Sequence, residues 1–155
     1  MHFLRVASVA LTATHVLAIP LASLMGSKHN LYLVTCTTSS DADYPLSRYT
    51  AVAYFANGPI ELSQSLTQIG TVDRPAQPWE GTLKVAKLGK TSAFSSRIDA
   101  DAAKAQKGSI SGTAVLDNED FVCFKDGQIA FSVTDDWSEQ PYTCKTDYWC
   151  PSILV

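Results

Sequence analysis

The sequence predicts an all-β fold, a small antiparallel sandwich or barrel with one short helix, stapled by two disulfides. Three observations predict it. Short runs of apolar and β-branched residues recur between turn signals, only one segment has helical character, and four cysteines follow a leader of secretory type. A parallel βαβ arrangement would need several helices of crossover length. With 155 residues the chain is sized for one domain, and 46% hydrophobic against 17% charged residues excludes a solvated disordered tail.

Residues 1–5 carry one basic side chain, Arg5, and residues 6–17 are mostly small and apolar, the layout of a signal peptide. Val16, Leu17 and Ala18 place cleavage after Ala18, so residues 1–18 are expected to leave and residues 19–155 to form a single secreted β-rich domain beginning at Ile19. The apolar run is shorter than the roughly 20 residues a bilayer requires, and Thr12, Thr14 and His15 interrupt it, so no membrane anchor is expected. Cleavage also removes Arg5, His2 and His15. The remaining 11 Lys and Arg stand against 15 Asp and Glu, a net charge of -4 that argues against a nucleic-acid partner.

Along the mature chain, residues 31–36 read as a buried strand running into a polar loop, and residues 49–56 as a second strand ended by Asn57, Gly58 and Pro59. Residues 60–69 fit strand and helix periodicity equally, and residues 71–80, with Pro75 and Pro78, read as an exposed connection. Residues 82–88 are expected to turn Leu83 and Val85 inward and Lys84 outward, and residues 93–98 to place Phe94 and Ile98 on one face, with Gly89 and Lys90 turning between them. Residues 99–107 are the helix candidate, with Asp99 as cap, four alanines and Gly108 after the end. Strand resumes over 109–116. Residues 121–133 read as a hairpin about Asp126 and Gly127, with Val122, Phe124, Ile129 and Phe131 on one face and Cys123 on the other.

An even cysteine count in a secreted chain reads as two disulfides, with three connectivities open for Cys36, Cys123, Cys144 and Cys150. At least one bridge is expected to tie Cys144 or Cys150 back to Cys36 or Cys123, stapling the tail across the Cys123 face of the hairpin. Zinc does not fit, since no Cys-x-x-Cys pair exists and His29 is the sole mature histidine. No cofactor is expected. The Asp117 to Asp120 stretch offers oxygen ligands but lacks the spacing and glycine of a calcium loop.

Serine triads and two-histidine mechanisms lack their side chains once only His29 is left, and no Gly-x-Ser-x-Gly elbow occurs. Carboxylate catalysis stays open through Asp117, Glu119, Asp120, Asp135, Asp136 and Glu139, set against their plain role as solvated turn residues. Trp79, Trp137, Tyr142, Tyr148 and Trp149 are the candidate binding residues, because rigid aromatics on a braced tail suit a protein surface or a sugar ring; the competing role is packing on the bridges. Three functions are therefore expected in this order: a secreted non-enzymatic interaction protein with an extracellular protein or polysaccharide partner, a carbohydrate-binding module, and a small carboxylate-dependent hydrolase.

Taken together, the Val16-Leu17-Ala18 leader before Ile19 and Pro20, the short mature body, four cysteines and no catalytic constellation resemble the small secreted cysteine-containing proteins of filamentous fungi, many of them candidate effectors. The resemblance is one of type. It implies an extracellular role towards a host, a competitor or a cell wall.

Overall fold

The computed structural model describes residues 27–38, 47–60, 65–127, 129–134 and 141–154. The expected signal segment and Ile19 lie outside these residues, as do Trp137, Asp135, Asp136 and Glu139.

Among the described residues, nine antiparallel strands form one sheet: β1 (Asn30–Thr38), β2 (Arg48–Phe55), β3 (Gln68–Asp73), β4 (Leu83–Leu88), β5 (Ser92–Ile98), β6 (Ile110–Leu116), β7 (Glu119–Lys125), β8 (Ala130–Val133) and β9 (Tyr142–Pro151). The order is β3-β2-β1-β9-β7-β6-β5-β4, with β8 paired to β9. The sheet curls until its two outer strands meet. A Cβ on Gly70 of β3 would lie 2.5 Å from the Lys87 carbonyl oxygen of β4, and Lys84 of β4 pairs with Asp73 of β3 at 2.7 Å. The result is a near-closed barrel.

Its interior is filled by side chains from around the ring, among them Leu31, Leu33, Val52, Leu88, Phe94, Ile98, Leu116, Phe121 and Tyr148. A second cluster lies on the outer face of β1, β2, β8 and β9, where Tyr32, Val34, Ala51, Phe55, Val133 and Tyr142 are covered by Ile60 and Leu66. β1 is thus buried on both faces, which is why residues 31–34 are apolar without alternation.

Both disulfides join the tail to earlier strands, Cys36 to Cys144 and Cys123 to Cys150. They lie on opposite faces of the sheet, Cys36–Cys144 in the outer cluster and Cys123–Cys150 in the interior. Cys144 and Cys150 have the same parity in sequence and would share a face of a regular strand. A bulge separates them: Leu33 faces Tyr148 but Val34 faces Thr146, leaving Asp147 as the extra residue of β9. One extra residue inverts the pleat beyond it.

Five expectations are corrected. The 121–133 hairpin does not form, because β9 enters between β1 and β7: β7 and β8 follow one another along the same edge of β9, and Asp126 and Ile129 bond to Asp147 and Thr146 instead of closing a turn. The tail is accordingly a central strand of the sheet and does not cross its face. The helix over 99–107 shrinks to one 3-10 turn, Ala102–Lys104, since the backbone after it is drawn into the sheet by Gly108 N–H to the Lys125 carbonyl and Lys125 N–H to the Ser109 carbonyl. β4 has the opposite parity to that expected: Leu83 and Val85 are more than half exposed, whereas the Lys84 side chain is 11% exposed against Asp73. Residues 71–80 are not simply an exposed connection, for 71–73 belong to β3 and Trp79 is buried.

Candidate functional site

The inward rows of β1 and β2 turn polar towards one end of the barrel, from Leu31 and Leu33 to Thr35 and Thr37 on β1, and from Val52 to Thr50 and Arg48 on β2. Beyond the bulge, Lys145 and Thr143 of β9 join them. Residues 74–81 strap across this mouth. Ala76 N–H bonds to the Arg48 carbonyl on β2, and at the far end Gly81 N–H bonds to the Ile98 carbonyl of β5, where Glu80 bridges in parallel.

Between strap and strands lies a cavity of about 460 Å³ lined by Thr35, Arg48, Pro75, Pro78, Trp79, Glu80 and Asp147 among others. A second, contiguous cavity of about 490 Å³ shares Thr35, Arg48 and Asp147 and extends past Thr37, Thr38, Thr143 and Lys145. The mouths of β-barrels are common ligand sites.

The bulge aims Asp147 into this space, where its Oδ2 accepts a 2.7 Å hydrogen bond from Thr35 Oγ1. Burial raises the Asp147 carboxyl above the ordinary carboxylate range; Thr35, the Lys125 ammonium and the Trp79 indole oppose the shift, and the charge of Glu80 adds to it. Glu80 accepts a short hydrogen bond from the hydroxyl of Tyr148, whose ring lies 4.3 Å from Lys125 Nζ. Burial first, then that bond and the neighbouring acids, push the Tyr148 phenol well above its usual value, so it stays a proton donor. Trp79 is 3% exposed, and its Nε1 has no hydrogen bond of good geometry among the described residues, although it is near enough to Asp147 to stabilise the charge. A buried polar group without a partner is uncommon and costly.

Of the expected binding residues, Trp79 and Tyr148 come together at this mouth, both buried. Tyr142 and Trp149 lie on the other face of the sheet. Tyr142 packs edge-on against Tyr49, and half-buried Trp149 donates from Nε1 to Asn30 Oδ1 at 2.8 Å. Trp137 is outside the described residues.

The described acids among those singled out in the sequence go elsewhere, and Asp135, Asp136 and Glu139 lie outside the described residues. Asp117, at a left-handed turn with φ 55°, accepts from Ala93 N–H, and Glu119 holds His29 Nδ1 at 2.9 Å, at the opposite end of β1 from the mouth. Among the described residues, no group of three or more His, Cys, Asp or Glu is placed to hold a metal. Thr35, Arg48, Glu80 and Asp147 were not distinguished by any motif; the one hint was an acid, Asp147, inside an alternating run next to Tyr148. No family model, no curated protein and no solved structure matches the chain.

Proposed function

We propose that the protein is a secreted, non-enzymatic interaction protein of the effector-like kind, and that it engages its extracellular partner through the polar mouth of the barrel. The observation that carries this is the β9 bulge, which turns the Asp147 carboxylate into a cavity beside an indole N–H that, among the described residues, has no hydrogen bond of good geometry. Both features cost stability in the free protein, and a bound group that satisfies them offsets that cost. Two disulfides suit an oxidising compartment, and among the described residues no helix is long and apolar enough to cross a membrane.

The test is retention of the mature chain on host or cell-wall extracellular material. Asp147→Asn and Arg48→Ala should each lower retention, while the exposed turn variant Lys90→Ala should match wild type. Equal retention of all four proteins would place the interaction elsewhere. A second function, carboxylate-dependent hydrolysis, is favoured by one observation: Asp147 and Glu80 line the same cavity, and burial raises the carboxyl of Asp147. Turnover by wild type that disappears in Asp147→Asn and in Glu80→Gln would replace the non-enzymatic function with that one.

A further inference from the structure

We infer that the ligand of this mouth is a neutral saccharide chain, with one hydroxyl bridging the Trp79 indole N–H and the Asp147 carboxylate. The inference rests on the mouth being the binding site.

An indole nitrogen only donates, and an ionised carboxylate only accepts. The group that satisfies both must accept from Trp79 Nε1 and donate to Asp147, as a hydroxyl does. An ammonium cannot accept from the indole. A carboxylate or phosphate could, but at that position it would lie against Asp147 itself, and because Arg48 and Lys145 balance Asp147 and Glu80 across the two cavities the lining carries no net charge to recruit an anion. Trp79 supplies the independent mark of a ligand: the residue is 3% exposed, its Nε1 has no hydrogen bond of good geometry among the described residues, and it is part of the cavity wall.

The rest of the lining suits the same chemistry. Pro75 and Pro78 offer apolar wall for the C–H faces of a sugar ring, and Thr35 stands beside Asp147 as a further hydroxyl. Thr37, Thr38 and Thr143 continue into the second cavity, which shares Asp147 with the first, so the site extends along a chain and does not end at one ring. This mode differs from stacking on exposed aromatics, because Trp79 would act through its N–H.

The experiment follows the Trp79 indole N–H cross-peak of the ¹⁵N-labelled mature protein, identified by its loss in Trp79→Phe. Tetramers from cellulose, β-1,3-glucan, chitin and mannan are the neutral probes; tetragalacturonate and tetralysine are the charged ones. At least one neutral tetramer should shift this peak saturably and bind about tenfold more tightly than its monomer, as an extended site requires. Trp79→Phe, which keeps the ring and removes the N–H, should weaken binding by roughly tenfold, and Thr37→Val in the second cavity by a few-fold.

No shift with any neutral tetramer, or a shift only with a charged probe, would overturn the assignment. Should Trp79→Phe not fold, Trp137→Phe and Trp149→Phe identify the Trp79 peak by elimination among the three tryptophans, and the wild-type titration and Thr37→Val still decide. The two proposals fail separately: extracellular retention lost in the mouth variants with no saccharide response refutes the saccharide alone, whereas saturable binding with cleavage of the tetramer refutes the non-enzymatic function alone.

Discussion

Removing the Cys36–Cys144 bridge should destabilise the protein more than removing Cys123–Cys150, although both join β9 to an adjacent strand. All four sulfurs are fully buried, so the double variants Cys36→Ala/Cys144→Ala and Cys123→Ala/Cys150→Ala lose comparable packing. What differs is the chain each bridge closes, with sequence separations of 108 and 27. In the chain-entropy description these correspond to about 4.8 and about 3.6 kcal/mol, a difference of about 1.2 kcal/mol. The bridges interleave in sequence, but with Cys123–Cys150 intact the shortest path between Cys36 and Cys144 still runs through most of the same chain, so the difference barely changes. Urea unfolding followed by tryptophan fluorescence, with the free energy extrapolated to water, measures both costs. A cost for the Cys123–Cys150 pair equal to or above that for Cys36–Cys144 would refute the reasoning and locate the main effect in native packing.

Three further outcomes follow from the same contacts. Because the folded protein raises the Asp147 carboxyl, it binds that proton more tightly than the unfolded chain does, and stability should fall as pH rises from the ordinary carboxylate value through the raised one; Asp147→Asn, which keeps an acceptor for Thr35, should flatten that decline and be at least as stable as wild type at neutral pH, and a less stable variant there would contradict the shift. Gly70→Ala sets a Cβ 2.5 Å from the Lys87 carbonyl oxygen and should cost about 1–3 kcal/mol by prising β3 from β4, visible as a lower Tm; an unchanged Tm would show that the two edges do not meet as described. Trp149→Phe leaves the buried Asn30 Oδ1 unpaired and should cost about 1–3 kcal/mol in urea unfolding while extracellular retention stays at the wild-type level, since Trp149 is on the sheet face opposite the mouth; lost retention in a folded variant would move the site to that face.

The sequence by itself determined the strand-rich class, the tie between tail and body through the cysteines, and those elements whose pattern is local. Residues 31–36 and 49–56 read as strands because continuous apolar and β-branched residues specify burial on both faces wherever the strand goes. The turn at Gly89, with φ 57°, was legible because a left-handed position is a property of the residue itself. Phe94 and Ile98 shared a face as period two requires, both fully inward on β5.

Only the tertiary structure decided which strands became neighbours, and the site follows from that choice. Asp126 and Gly127 have the chemistry of a hairpin turn, yet the hydrogen-bonding edge that β8 would have offered β7 was taken by β9, and local turn preference is small beside a whole ladder. Lys84 reads as outward on charge alone; Asp73, brought opposite it by closure of the barrel, makes the inward position favourable and leaves Leu83 and Val85 outside. The bulge at Asp147 has no mark in the sequence, because an alternating pattern looks the same with or without one extra residue until the partner strand supplies the register. That single residue sends Cys144 and Cys150 to opposite faces and turns a carboxylate into the mouth, so the site arises from pairing between strands over 100 residues apart and not from any motif along the chain.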